Sequence, residues 1–163
     1  MTPARAALTC CVLALAATGC GIRPTGVTDG GTAPSGISQG IRVYFASDRG
    51  PRGVARPDRT VNQLDDVFKL LFSGPSPAER DEGLTNVLPE VDYRATAHRG
   101  HVTVTAPRFG FTSPQDQGTG QLVCTLARAE VLLHGTRPDK VQVTVVGERG
   151  RAGPYQCQQF LVH

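Results

Sequence analysis

From Ile41 onward, apolar and polar positions fall into short periodic blocks, and the block from Thr60 to Pro89 is the one around which the others are organised. Val61, Leu64, Val67, Phe68 and Leu71 recur at helical spacing. Thr60 with Gln63 three residues on makes a capping box, in which each side chain meets an orphan backbone N–H of the other residue, so the pattern predicts an amphipathic helix opening at Thr60. Gly74-Pro75 stops it. Ser76-Pro77-Ala78-Glu79 then starts a second, shorter helix, with Ser76 as N-cap, Pro77 at the first helical position, Glu79 closing another box and Gly83 at the end.

Ahead of this pair, Ile41, Val43 and Phe45 share one face of a first strand over Ile41–Ser47, and Gly53–Arg56 is a weak second strand behind the turn residues Asp48 to Pro51. After it, Val91–Ala106 predicts a hairpin turning on Arg99-Gly100. Tyr93 then faces Ala106, Ala95 faces Val104 and Ala97 faces Val102 on an apolar face, while Arg94 faces Thr105 and Thr96 faces Thr103 on a polar one. A sheet covered by helices on one side has this pattern. Pro107–Gly118 is a loop by composition. Leu122, Leu126, Ala129 and Leu133 form the stripe of a third helix that begins at Thr119 or Gly120 and closes at His134-Gly135. Val141, Val143 and Val145 alternate in the next strand, Glu148–Gly153 is a turn-rich connection, and Tyr155–Val162 is the last strand. The fold class is α+β, a single domain with a mainly antiparallel sheet and helices packed on one face.

The chain divides at residues 1–19, 20–40 and 41–163. Met1–Arg5 carries one positive charge, and Ala6–Ala17 is an apolar run of signal-peptide length, too short to span a bilayer. Ala16-Ala17-Thr18-Gly19-Cys20 resembles a bacterial lipobox, with Ala17 where Leu or Val is usual. Cys20 would be acylated and become the mature N-terminus; the alternative is a plain secretory signal with an incidental cysteine. Cys10 and Cys11 leave with the signal. Gly21–Gly40 is Gly, Thr, Ser and Pro with few packable side chains, hence a flexible tether with a reach of roughly 25 Å.

Composition changes little in this picture. At 39% hydrophobic and 19% charged residues the chain can build a core. Net charge is +3, or about +2 once Arg5 is gone, which is too small for a nucleic-acid footprint. Arg49, Arg52, Arg56 and Arg59, with Asp48 and Asp58 among them, read as a solvated strand edge or a basic patch.

Candidate chemistry is sparse. His98 and His101 flank the hairpin turn and could share a metal, but no Cys or carboxylate lies at a spacing that offers a third ligand, so no metal site is assigned. His134 suits a helix C-terminus, and His163 ends the chain. Asp65-Asp66 and Asp81-Glu82 are paired carboxylates on the polar sides of the two helices, where solvation is the plain reading. Neither a nucleophile elbow nor a phosphate loop occurs, and no catalytic residue or cofactor is assigned. Cys124 and Cys157 remain after lipidation. In an exported domain an even pair predicts a disulfide, with a free buried thiol at Cys124 as the alternative.

The run Leu70-Leu71-x-x-Gly74-Pro75-x-x-x-Glu79-x-x-x-Gly83-Leu84-Thr85-x-x-Leu88-Pro89 resembles the signature of the GerMN domain, found in bacterial sporulation and germination proteins and in actinobacterial lipoproteins. The likeness covers about Ile41 to Val146 and is most specific over Leu64 to Pro89. It implies an assembly or interaction module without agreed catalytic residues. Two classes of function follow. The first is a lipoprotein anchored to the outer face of the cytoplasmic membrane, whose GerMN-like domain is a non-catalytic binding or assembly module in the cell envelope. Its partners would be the membrane, through the lipid, and a protein or envelope component, with no nucleic acid. The second is a small secreted or envelope enzyme with an unrecognised active site. The first is the expectation carried forward.

Overall fold

The computed structural model of the protein describes residues 40–107, 116–148 and 150–161. The expected signal segment, Cys20 and the expected tether up to residue 39, residues 108–115 of the expected loop, and His163 lie outside the described residues. The chain runs as strand β1 (Ile41–Phe45), strand β2 (Arg52–Arg56), helices α1 (Asp66–Phe72) and α2 (Pro77–Asp81), strands β3 (Arg94–His98) and β4 (His101–Thr105), helix α3 (Gln117–His134), and strands β5 (Gln142–Gly147) and β6 (Gly150–Tyr155). Strands β1 and β2 pair antiparallel as a hairpin of their own. The other four form one sheet in the order β3-β4-β5-β6, parallel only between β4 and β5. The fold is α+β with mainly antiparallel pairing, as the pattern predicts. Its parallel step is spanned by α3, because parallel neighbours need a crossover.

Helix α3, rather than the α1–α2 pair, is the element on which the others converge. It meets β1, β4, β5, α1 and the short 3-10 turns at Pro138–Lys140 and Cys157–Gln159. Every residue from Gly118 to Ala127 is buried, so its first turns have no solvent side, whereas the sequence reads as a one-sided stripe. It also starts earlier than expected. Asp116 is the N-cap, accepting from the N–H groups of Gly118 and Thr119. At the other end Gly135 adopts φ 65°, as predicted for the cap.

Burying a helix all round also buries its polar side chains, and each of these has a partner. Thr125 Oγ1 donates to the carbonyl of Gln121 (2.7 Å) and accepts from Tyr44 N–H in β1 (2.9 Å). Gln121 Nε2 donates to Asn86 Oδ1 (2.7 Å), and its Oε1 accepts from Val87 N–H. These bonds stitch β1 and the segment after α2 onto α3. Gly120 allows a close approach on the same helix, since a Cβ there would lie 2.6 Å from Pro51 Cγ and 2.9 Å from Phe160 Cδ1. Gly120→Ala is therefore expected to destabilise the domain. Alanine's helix preference is worth about 1 kcal/mol, less than an overpacking cost of up to about 3 kcal/mol. A melting temperature equal to or above that of the parent would show that Pro51 and Phe160 yield.

The paired helices correct one expectation and meet another. The box at Thr60 does not form, and α1 opens only at Asp66. The Asp66 carboxylate instead accepts from the N–H groups of Asn62 and Gln63, holding the preceding turn. All five predicted apolar positions are nevertheless buried. In α2 the Ser76–Glu79 box is complete in both directions, and Gly74 and Gly83 take φ of 71° and 82° at the two stops. The apolar side of the hairpin, Tyr93, Ala95, Val102 and Val104, is shared between helices rather than covered by this pair alone. Phe68 and Phe72 do pack on Tyr93, with ring centroids 5.2 and 5.5 Å away, but β4 is met by α3.

The β3–β4 register is the predicted one at every paired position, with Arg99 (φ 50°) and Gly100 (φ 81°) in the left-handed turn. The last strand is not where it was expected. Strand β6 occupies Gly150–Tyr155, mostly within the expected Glu148–Gly153 connection, and Cys157–Gln159 is a 3-10 turn closed by a Gln156–Gln159 box. A run of Gly, Arg, Ala and Pro has little strand propensity of its own. Its pairing comes from β5, and its place at the sheet edge tolerates Pro154.

Candidate functional site

Several residues singled out in the sequence have structural roles. Cys124, wholly buried in α3, is bonded to Cys157, with Cα atoms 4.5 Å apart. His98 and His101 sit opposite each other beside the turn, both exposed, and no group of three or more His, Cys, Asp or Glu residues suited to a metal occurs among the described residues. His134 Nδ1 lies 2.6 Å from the carboxylate of Glu130, which is 1% exposed and also accepts from Thr136. Asp65 is not merely solvated: its Oδ1 accepts from Ala95 N–H at the start of β3, and Arg94 lies 3.7 Å from its Oδ2.

The arginine-rich segment is partly a clamp. Arg52 pairs with Glu82, and Arg56 grips Glu79 through two bonds of 2.6 and 2.7 Å while its guanidinium lies 5.6 Å over the Phe45 ring. The Arg56 hydrogen bonds, opposed by burial and aided by Ser76 N–H, hold the Glu79 carboxyl down at about 2, against an ordinary 4.5. A depressed carboxyl stabilises the fold fully above its unfolded value, and that stabilisation is lost as pH falls through the folded one. The folded domain should therefore lose stability between about pH 4.5 and 2. Glu79→Gln keeps an acceptor for the box but lacks the charge. It should cost about 1–3 kcal/mol at neutral pH and converge with the parent near the acid end. Parallel denaturation curves for parent and variant across that window would contradict the clamp.

Three other groups are shifted. Asp66 is held low by the Asn62 N–H and then by Lys69. At Asp139 desolvation raises the carboxyl, but Arg137 and Lys140 outweigh it and the net direction is down. Burial pushes the Tyr93 hydroxyl up. Neither these nor Glu79 lines any of the clefts described next.

The open concavities lie elsewhere. A cleft of about 830 Å³ runs along the β1–β2 hairpin, lined by Arg42, Tyr44, Arg49, Arg52, Glu82 and Leu161 among others. A second, of about 420 Å³, lies between the start of β1 and the side of α3, lined by Gly40, Arg42, Ala55, Arg128, Val131 and Leu132 among others. Arg42 belongs to both. Its side chain and the Tyr44 ring lie across Gly53, where a Cβ would stand 2.7 Å from Arg42 Cδ and 2.9 Å from Tyr44 Cζ. Glycine at this strand position is thus what gives both side chains room. A third cleft, of about 660 Å³, is acidic, with Glu90 and Asp92 beside Phe72 and Pro107.

Sequence reasoning placed no site at Arg42 or Arg128. The signals were nonetheless present. Arg42 is the outward position between Ile41 and Val43 in β1, and Arg128 is the exposed break in an otherwise buried run of α3. Comparison of the chain with protein-family models, curated proteins and solved structures finds no match.

Proposed function

We propose that the protein is an exported lipoprotein, anchored through an acylated Cys20 to the outer face of the cytoplasmic membrane, whose GerMN-like domain is a non-catalytic binding or assembly module of the cell envelope. The observation that carries this reading is the Cys124–Cys157 bridge between α3 and the chain end, because structural disulfides belong to compartments outside the reducing cytosol. The lipobox-like Thr18-Gly19-Cys20 and the Gly/Ser/Thr/Pro-rich stretch behind it agree with that compartment. The side chains also fit a binding body: Glu79, Asp65, Asp66 and Glu130 are engaged in clamps and caps, while the clefts carry Arg42 and Arg128, which have no ion-pair partner among the described residues.

Cys20→Ser is expected to abolish fatty-acid labelling of the protein in cells and to move the domain out of the acylated membrane fraction. Equal labelling of parent and variant would exclude Cys20 as the anchor. Crosslinking in cells followed by recovery of the tethered protein then identifies the envelope partner.

A further inference from the structure

Arg42 and Arg128 have no carboxylate partner among the described residues, and both are exposed. Arg49, which lines the larger cleft, has only Asp48, 4.0 Å away, with the two side chains 91% and 86% exposed. Two acids, Asp48 and Glu82, line the same cleft, and Glu82 is taken by Arg52. Leu132, 38% exposed, lines the smaller cleft together with Arg128 and Gly40; it and Val87 are the large apolar side chains exposed to that degree among the described residues. Guanidiniums without counter-charges next to an exposed leucine form an interfacial pattern, in which the cations meet phosphate and the apolar group reaches the headgroup boundary.

We infer that this face of the domain docks on an anionic lipid surface, with Arg42, Arg128 and Arg49 against headgroup phosphates and Leu132 at the acyl boundary. The choice of a lipid surface over a soluble polyanion rests on the anchoring proposed above and on where the chain enters. Gly40 lines the smaller cleft, and the stretch leading back to Cys20 is joined at that point. Anchoring through that stretch would make docking an effectively intramolecular event, so weak contacts suffice.

The test uses the full chain carrying Cys20→Ser, so that no acyl group contributes, and measures sedimentation with vesicles of phosphatidylcholine alone or mixed with phosphatidylglycerol. Residues 1–19 are the same in every arm and cancel between them. The chain is expected to prefer the phosphatidylglycerol vesicles and to lose that preference at high salt. Each basic residue near an anionic surface is worth about fivefold in partitioning, so Arg42→Gln with Arg128→Gln should weaken binding about 25-fold. Arg42→Lys with Arg128→Lys should retain it. Arg99→Gln with Arg151→Gln removes the same charge from exposed positions that line neither cleft, and should change binding little.

Equal binding to both vesicle types, equal losses in the two glutamine variants, or loss in the lysine variant would overturn the proposal. Binding of soluble polyphosphate that depends on Arg42 and Arg128, with no vesicle preference, would overturn it in favour of a soluble polyanion. None of these results bears on acylation, which is read by fatty-acid labelling of the parent chain, so the two readings fail separately.

Discussion

Phe68→Ala is expected to lower the stability of the domain by about 3–5 kcal/mol, the cost of emptying an aromatic site in a packed core. Phe68 is 6% exposed in α1, and its ring lies 5.2 Å from that of Tyr93, on which Phe72 also packs. The space left behind cannot easily collapse. Its walls are held from both sides, by the bond from Ala95 N–H to Asp65 just before α1 and by that from Tyr93 Oη to the Pro89 carbonyl. Chemical denaturation should show a lower midpoint with an unchanged slope, as expected when stability falls and the folded and unfolded states keep their exposed areas. A midpoint shift near zero would put Phe68 outside the core and make it a contact residue.

Replacing Cys124 and Cys157 together by alanine is expected to cost about 3–4 kcal/mol, from the loop-closure entropy of a bridge spanning 33 residues. The local consequence should be larger than the number suggests. The bridge joins the middle of α3 to the 3-10 turn after β6, and Phe160 in that terminal segment packs on Gly120 and lies 5.5 Å from the Tyr155 ring. Without the bridge this segment should show the largest gain in amide exchange, ahead of β4 and β5. Thiol labelling of the unreduced parent at both positions, or an unchanged denaturation midpoint in the double variant, would remove the staple from the account.

What could be read from the sequence was what is encoded locally. The β3–β4 register needed only the Arg99-Gly100 turn and the alternation beside it, and the Ser76–Glu79 box is a matter of three residues. The elements misread are those decided by distant neighbours. Thr60 and Gln63 match a capping pattern, but the Asp66 carboxylate takes the nearby N–H groups, and the helix begins only at Asp66. Residues 150–155 become a strand because β5 offers them an edge. The Arg56–Glu79 clamp joins residues 23 apart, so the arginine-rich segment reads locally as a solvated edge or a basic patch and not as a clamp. Nothing in the stripe of Leu122, Leu126 and Ala129 announces that Gln121 and Thr125 are also enclosed, since their burial depends on bonds to Asn86 and Tyr44. The Cys124–Cys157 pair was legible because parity and compartment, rather than geometry, point to it. The basic clefts were not, because Arg42 and Arg128 lie 86 positions apart (128 − 42) and meet only across the β1–α3 contact.

The position of α3 in the chain has a consequence for how the domain is made. The bond from Tyr44 to Thr125 closes 81 residues, and β4 finds its parallel neighbour β5 only on the far side of the helix. These long-range contacts cannot form until α3 and β5 are present, so the helix that completes the core joins it late. On the export route proposed above, a chain threading outward from its N-terminus would present two hairpins and two short helices before the helix that β1 and β4 pack on. Its core would close only once the helix that completes it has crossed.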